Sequence, residues 1–298
     1  MIIDIHNHLL VGVDDGPRSI DEMIELLRQA KRQGIEGIIV TPHHLHPRYQ
    51  NEFPKVENLL KELKENPEVK QLSIDLYPGQ EIRVTDDILK DIENKDIQGL
   101  HYSKYLLIEL PSDHIPAFAT RLIYEIQNKG FVPIIAHPER NKAIAKDINL
   151  LFELINIGAL SQITASSLTG DFGKSVQKIS IEMIEHRLVH FIASDAHHAE
   201  KRPFGFDNLF TTPKIKYLKS DIEDLLTNNE AIINNKKILI QKPLKYERKN
   251  SLVYFKKKTV KQIGIYHIKA KTSNFTYYRL NHRNFVCIFR LLHFKAIF

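Results

Sequence analysis

Short apolar runs alternate with longer amphipathic stretches along residues 1–245, a pattern typical of an α/β protein. Seven of the apolar runs have the length and composition of buried β-strands. They cover residues 2–5, 37–40, 74–77, 105–108, 132–136, 160–164 and 190–193. The stretches between them have the periodicity of amphipathic helices. The pattern therefore predicts parallel strands connected by helices.

The segment after Pro17 gives the clearest predicted helix. Ser19 and Glu22 form a capping box, in which each side chain can accept a hydrogen bond from a free backbone N–H group. Apolar residues then recur at helical spacing as far as Ala30, and Gly34 stands where a C-cap is expected. Further helical stretches cover roughly residues 54–65, 85–93, 117–129, 144–156, 175–186 and 219–227.

Ionisable side chains follow six of the seven predicted strands. They are His6, His8, His43, Glu81, Glu109, His137, Asp195 and His197. In a barrel of parallel strands the C-terminal ends lie on one face, so residues far apart in sequence meet around one pocket. Because so many buried ionisable groups would be costly without partners, a cluster of divalent cations is the simplest explanation. We therefore predict a multinuclear metal site.

The spacing within two of these motifs supports the metal site. Side chains alternate along a strand, so His6 and His8 point to the same side, and Asp195 and His197 repeat this arrangement. Each residue taken alone is equally consistent with a surface residue or a satisfied core residue, and it is their shared position that indicates a metal. Imidazole and carboxylate donors without a thiolate suit manganese, iron or zinc.

The charge of the predicted site favours a phosphate substrate. Asp15, Glu81, Glu109 and Asp195 are the candidate carboxylate ligands. They only partly neutralise a cluster of three divalent ions, and the remaining positive charge attracts an anion. Clustered divalent ions serve phosphatases and nucleases by neutralising phosphate oxygens. Phosphoester hydrolysis thus follows more naturally than amide hydrolysis.

Arg140 and Arg202 are the candidate substrate-binding cations. Each closely follows a predicted ligand, and a guanidinium group offers bidentate donors to phosphate oxygens. The alternative for each is a surface arginine paired with a nearby acid. Arg48 and Arg83 also lie near predicted ligands, but their position alone assigns them no role.

Cysteine content and motif searches exclude several other classes of protein. The one cysteine, Cys287, can form no intramolecular disulfide, so a cytoplasmic location is expected. Arg290 follows it at the wrong spacing for the Cys-x5-Arg loop of cysteine-dependent phosphatases. There is no Gly-x-Gly-x-x-Gly or Walker loop for a nucleotide. No apolar run is long enough for a transmembrane segment, and we expect none.

Five motifs resemble those of the PHP (polymerase and histidinol phosphatase) superfamily. They lie at residues 6–8, 12–17, 41–44, 136–140 and 193–197. The Asp-Asp-Gly-Pro loop and the His-Pro-Glu-Arg segment are similar to those of the bacterial capsule-operon tyrosine phosphatases of the CpsB/CapC type, and the resemblance spans about residues 1–250. It implies a distorted seven-stranded (β/α) barrel of the PHP type with a three-metal centre that is usually active with Mn²⁺, with iron and zinc as alternatives.

The resemblance also implies a ligand set for each ion. One ion would take His6, His8, Glu81 and Asp195. A second would take Asp15, His43 and His197. The third would take Glu109, His137 and a bridging Glu81. Asp14 is the alternative to Asp15, which we prefer because it stands beside Gly16-Pro17.

The function implied by the resemblance is that of a metal-dependent protein-tyrosine phosphatase. Its expected substrate is the phosphotyrosine tail of a bacterial capsule tyrosine kinase, through which it would regulate capsular polysaccharide biosynthesis. Arg140 and Arg202 would bind the phosphoryl oxygens. The alternatives are a small-molecule phosphatase of the histidinol phosphate phosphatase type and a metal-stabilised interaction module.

Positive charge is concentrated at the C-terminal end of the chain. The formal net charge is +6, but residues 255–298 hold ten lysine or arginine residues and no acidic residue, which leaves 32 basic and 36 acidic residues before them. We expect no nucleic-acid partner for the main domain. The predicted division is a phosphatase domain at residues 1–248 and a basic, aromatic-rich tail at 249–298. The alternatives for the tail are a segment that binds an anionic membrane surface or RNA, a disordered extension, and an altered C-terminus of a shorter enzyme.

Overall fold

The computed structural model describes residues 2–247 and three short strands nearer the C-terminus. The chain divides into two units, Met1–Tyr246 and Glu247–Phe298. In the second unit, strands His267–Lys269, Thr276–Leu280 and Asn284–Ile288 form an antiparallel sheet in chain order. The rest of the predicted tail lies outside the described residues.

Two parallel sheets form the first unit, and together they contain all seven predicted strands. One sheet has the order β1 (Ile2–Asp4), β2 (Ile35–Val40), β4 (Asp75–Pro78). The other has the order β3 (His43–His44), β5 (Glu81–Arg83), β6 (Tyr105–Glu109), β7 (Val132–Ala136), β8 (Leu160–Thr164), β9 (Phe191–Ala193). Every pairing in both sheets is parallel. The prediction of parallel strands is thus confirmed.

A closed seven-stranded barrel, which the sequence led us to expect, is not what the strand pairing shows. Pro42 lies between β2 and β3, and Pro78 ends β4, with two residues between it and the start of β5. Proline has no N–H for a ladder hydrogen bond, so the pairing stops and resumes in the second sheet. An isolated parallel bridge between Asn7 and Ala196 links the chain beyond β1 to the chain beyond β9. The established architecture is a mixed α/β fold with parallel sheets.

Helices occupy the connections between the strands. The α-helices are α1 (Ile20–Arg32), α2 (Phe53–Glu65), α3 (Pro67–Leu72), α4 (Ile88–Asn94), α5 (Ala119–Asn128), α6 (Lys142–Lys146), α7 (Asn149–Asn156), α8 (Ala165–Thr169), α9 (Lys174–Glu185) and α10 (Lys219–Ile233). Short 3-10 helices lie at Leu100–Tyr102, Pro138–Arg140 and Pro213–Leu218. None of the helices among the described residues has the length and hydropathy needed to span a membrane.

The capping predicted for α1 is present. The Ser19 hydroxyl accepts a hydrogen bond from the Glu22 backbone N–H (3.2 Å), and the Glu22 carboxylate accepts one from Arg18 N–H (2.8 Å). Gly34 follows the helix in the left-handed conformation, with φ +75°. The predicted helix at 144–156 is two helices, α6 and α7. Sequence periodicity did not reveal α3 and α8, which have six and five residues and are too short for a periodic pattern.

The core lies on both faces of the strands. In β6, Leu106 and Ile108 pack with the helices, whereas Leu107 belongs to an inner cluster with Ile134 and Phe191. Burial of both faces explains why the strands read as continuous apolar runs rather than alternating ones. The inner cluster also includes Ile3 and Ile5 of the N-terminal strand segment, which lead directly into the first predicted ligands.

Candidate metal centre

All nine predicted metal ligands come together at one side of the sheets, in short strands, at strand ends or in the loops that follow them. Their nitrogen and oxygen atoms form four groups, and within each group the atoms lie within 4.8 Å of one another. The groups are His8, Asp15, His43 and His197; His6, His8 and Glu81; His6, His137 and Asp195; and His43, Glu81 and Glu109. Elsewhere in the described residues no such group occurs. Shared members join the four groups into one cluster.

Glu81 is the central carboxylate of this cluster. It is fully buried at the start of β5. Its Oε2 lies 2.9 Å from His43 Nδ1, 3.4 Å from His6 Nε2 and 3.3 Å from His8 Nε2. Its Oε1 lies 2.8 Å from His137 Nε2. Four imidazoles therefore surround one carboxylate, an arrangement suited to a bridging ligand.

Asp195 joins the cluster to the two candidate phosphate-binding arginines. Its Oδ1 lies 3.5 Å from His6 Nε2 and 3.2 Å from His8 Nε2. Its Oδ2 accepts hydrogen bonds from Arg140 and Arg202, the latter at 2.6 Å. Burial alone would raise the pKa of Asp195, but the two guanidinium groups and His6 outweigh it and hold the pKa well below its usual range. Asp195 is therefore ionised, as a metal ligand must be.

The two adjacent aspartates of the loop after β1 take different positions. Asp15 Oδ1 lies 3.2 Å from His197 Nε2 and 3.6 Å from His43 Nε2, within the cluster. The Asp14 carboxylate lies against His8 Nδ1 (2.7 Å) and also accepts a hydrogen bond from the His43 backbone N–H (3.2 Å).

The His197 ring is neutral. Burial, followed by the charge of His8, lowers its pKa to about 4, so the ring is able to bind a metal.

Two side chains behind the cluster orient the His-x-His pair. His6 Nδ1 is hydrogen-bonded to Gln162 Oε1 (2.8 Å), and His8 Nδ1 to Asp14. With Nδ1 occupied in both rings, the two Nε2 atoms face the centre. This is the usual arrangement of metal-binding histidines, in which the second ring nitrogen bonds a polar partner. Gln162 was not among the predicted site residues; the one signal in the sequence is a long polar side chain within a strand that is buried throughout.

Backbone conformation marks two of the candidate ligands. His137 and Asp195, which follow β7 and β9, have left-handed φ values of 32° and 55°. This region is costly for residues with a side chain, and such conformations concentrate at functional sites. The Asp195 backbone is held there by a hydrogen bond from its N–H to the His6 carbonyl (2.7 Å).

Several buried ligand atoms have no hydrogen bond within the described chain. They are Nε2 of His6, His8 and His197, Nδ1 of His43, Oδ1 of Asp15 and Oε2 of Glu81 and Glu109. Buried polar atoms without partners are rare because their desolvation is not repaid. All of these atoms belong to the residues of the four groups, so divalent cations among them would satisfy every one. The residues present thus fit the metal centre that their positions predict.

One arginine outside the predicted set contacts the cluster. Arg83 Nη1 forms an ion pair with Glu109 Oε2 at 2.9 Å, although without hydrogen-bond geometry. Both residues are at strand ends, in β5 and β6, whose pairing brings them side by side. Sequence analysis assigned Arg83 no role because this contact depends on strand register.

A cavity of about 310 Å³ opens above the cluster. Glu81, His137 and Asp195 are among its lining residues, together with Arg48, Arg140 and Arg202. Arginines along the walls and candidate metal ligands at the base make this cavity suitable for an anionic group. The guanidinium group of Arg140 lies over the Phe172 ring, with its central carbon 5.4 Å from the ring centroid.

Fold and site together define a mixed α/β protein with a candidate multinuclear metal centre at its strand ends. The family model described as capsular polysaccharide synthesis, CpsB/CapC, matches residues 2–235, and the chain belongs to this family. The resemblance noted in the sequence is confirmed.

Individual relatives cover most of the chain. CapC of Staphylococcus aureus is 54% identical over 242 residues, which are 81% of this chain and 95% of CapC. The tyrosine-protein phosphatase YwqE of Bacillus subtilis is 39% identical over 255 residues, 85% of this chain and 100% of YwqE. A crystal structure from a study of YwqE and of CpsB from Streptococcus pneumoniae, described there as metal-dependent tyrosine phosphatases, matches with a TM-score of 0.79 and 39% identity, over 83% of this chain and 100% of that chain.

Proposed function

We propose that this protein is a cytoplasmic, metal-dependent protein-tyrosine phosphatase that acts on the phosphotyrosine tail of a bacterial capsule tyrosine kinase and so regulates capsular polysaccharide biosynthesis. The observation that carries the proposal is the cavity in which Arg140 and Arg202 lie beside the cluster of nine candidate metal ligands. Membership of the CpsB/CapC family, whose relatives are named tyrosine-protein phosphatases, supports it.

The proposed cofactor is a set of three Mn²⁺ ions. One ion would be held by His6, His8, Glu81 and Asp195, a second by Asp15, His43 and His197, and the third by Glu109, His137 and Glu81. The observed groups overlap these sets without equalling them: His8 also joins the group of Asp15, His43 that of Glu109, and His137 is grouped with His6 and Asp195. When bound, the ions supply positive charge for the phosphoryl oxygens and a nucleophile at neutral pH.

Arg140 and Arg202 bind the phosphoryl oxygens in this proposal. Each arginine uses one terminal nitrogen for Asp195, and a guanidinium has five N–H donors, so donors remain for a substrate. The buried Nε of Arg140 has no acceptor among the described residues. An oxygen of the phosphoryl group would satisfy it.

We also propose that the two parallel sheets act as one distorted, seven-stranded (β/α) barrel around the site, in which β2 with β3 and β4 with β5 each count as one interrupted strand. The Asn7–Ala196 bridge supports this view, as does a hydrogen bond from His8 N–H to the Ala196 carbonyl (2.8 Å). Both contacts join the first strand segment to the last.

The proposed function can be tested by assaying Mn²⁺-loaded protein on a phosphotyrosine peptide and on histidinol phosphate side by side. We expect the peptide to be hydrolysed with the higher kcat/KM, and a matched phosphoserine peptide much more slowly because its leaving group is poorer. The Glu81→Gln variant is the inactive control. Glu125→Gln is the active control, since Glu125 is a half-buried residue of α5 that does not line the cavity. If kcat/KM for histidinol phosphate were about a hundredfold higher than for any phosphotyrosine peptide, the proposal would be contradicted.

A further inference from the structure

Three arginines line the cavity, and they differ in how their charge is compensated. Arg140 and Arg202 both donate to Asp195. Arg48 forms no ion pair with any described carboxylate. The cavity therefore holds one arginine whose charge no neighbouring acid neutralises.

The turn after β3 fixes the position of Arg48. Leu45 adopts the left-handed conformation (φ 54°), and Tyr49 N–H donates to the His46 carbonyl (3.1 Å). The His46 ring stacks on His43 at 4.8 Å and on Tyr49 at 5.1 Å. A candidate metal ligand, two stacked rings and a closed turn thus hold this segment against the site.

The guanidinium of Arg48 lies over the Tyr49 ring, which also stacks on His43 at 5.9 Å. Its central carbon lies 5.1 Å from the Tyr49 ring centroid. A cation over an aromatic face is held in place, and the ring covers one face of the planar group. The N–H edge, which is the part that binds a carboxylate, stays accessible.

Arg48 also lies farther out than the other two arginines. It is an exposed residue, whereas the side chains of Arg140 and Arg202 are 24% and 30% exposed. The transferred phosphoryl group must reach the buried ligand cluster, so the outer arginine meets a part of the substrate that lies farther from the phosphorus atom. In a peptide substrate, that part is the residue next to the phosphotyrosine.

We infer that Arg48 is a specificity-determining residue that binds a carboxylate side chain adjacent to the phosphotyrosine of the substrate peptide. The inference rests on the proposed phosphatase function. Because the contact is exposed, it is weak and sensitive to salt, and we expect it to change KM by about threefold to fivefold at low ionic strength. It is not expected to change kcat, because the carboxylate does not take part in the reaction.

Two phosphotyrosine peptides that differ only in a flanking glutamate or glutamine test the inference. For the Mn²⁺-loaded wild-type protein we expect a KM about threefold to fivefold lower for the glutamate peptide, with equal kcat, and a preference that fades as salt is added. Arg48→Ala should remove the preference, and Arg48→Glu should reverse it. Arg121→Ala is the matched control, since this exposed arginine of α5 lies outside the cavity and should leave the preference intact.

The ways in which this experiment can fail are distinguishable. A preference that survives Arg48→Ala would overturn the inference and leave the proposed function standing. So would an equal fall in kcat for both peptides, since that would place Arg48 at the transferred phosphate instead. If the wild-type protein hydrolysed neither peptide, the proposed function would fail, and the inference with it.

Discussion

At the scale of single residues, the site depends on partners that stand behind the candidate ligands. Asp195 is the clearest case: it lies in the ligand cluster and at the same time holds Arg140 and Arg202. The same carboxylate thereby fixes the distance between the candidate metal ligands and the guanidinium groups of the two arginines. Changes in either arginine should act on substrate binding more than on metal binding.

The first prediction concerns Arg140. Arg140→Ala removes a charge-assisted contact that tightens as charge develops on the phosphoryl oxygens, so kcat/KM should fall by about 10²–10³-fold. Metal content per chain, measured by elemental analysis, should not change. Arg140→Lys should recover only part of the loss, because an ammonium group lacks the planar fork. A loss of bound metal equal to the loss of activity would show that Arg140 acts through the ligands instead.

How much of the site could be predicted depends on how far apart in the sequence the contacting residues lie. His6 and His8 could be singled out because strand alternation is local and every residue needed to see it is adjacent. Gln162 could not, since its bond to His6 joins positions 156 residues apart. The ion pair of Arg83 with Glu109 likewise requires the register of two strands. Sequence motifs thus indicated which side chains come together, but not what orients them.

At the scale of elements, the loop after β1 is a tightly packed connection. It delivers both Asp14 and Asp15, and Gly16 sits against the strand-end backbone. A Cβ atom at Gly16 would lie 2.0 Å from the His8 carbonyl oxygen, a distance that backbone atoms cannot accommodate without moving. The loop can approach the first ligand strand this closely only because glycine occupies that position.

The second prediction rests on this close approach. Gly16→Ala should shift the loop, weaken Mn²⁺ binding by about tenfold or more, and lower the melting temperature. Gly12→Ala is the control from the same loop: its φ is +71°, but nothing lies within 4 Å of an added Cβ. Its cost should be limited to about 1–2 kcal/mol of backbone strain, with Mn²⁺ affinity retained. Equal effects of the two variants on Mn²⁺ titrations would contradict the packing argument.

The strands themselves could be predicted better than their arrangement. Burial of both faces made each run visible in the sequence, whereas the division into two sheets depends on Pro42 and Pro78. A proline at a strand end indicates that pairing stops there, but it does not tell which strand takes up the pairing afterwards.

At the scale of the whole molecule, a segment after α10 closes the first unit. The Tyr105 hydroxyl donates to the Lys236 carbonyl (2.7 Å), and Leu244 N–H donates to the His186 carbonyl (2.9 Å). Tyr246 exchanges two hydrogen bonds with the side chain of Asn149, at 2.9 and 3.0 Å. These contacts end just before the predicted boundary at residue 248.

The third prediction concerns that boundary. Truncation after residue 248 should leave the melting temperature within about a degree or two and turnover within about twofold, because the ligands and the closing contacts all precede it. Truncation after residue 243 is the comparison; it removes the bonds of Leu244 and Tyr246 and should lower the melting temperature by about 4–8 °C. If the variant truncated after residue 248 failed to fold, the division at that residue would be wrong.

The measurement that tests the account most directly is phosphotyrosine-peptide hydrolysis before and after chelation, with metal content and melting temperature determined on the same samples. The candidate ligands come from six strand ends, so bound ions should stabilise the open face of the fold as well as support the reaction. Chelation should abolish hydrolysis and lower the melting temperature, and added Mn²⁺ should restore both. Full hydrolysis by protein shown to be free of metal would contradict the metal centre.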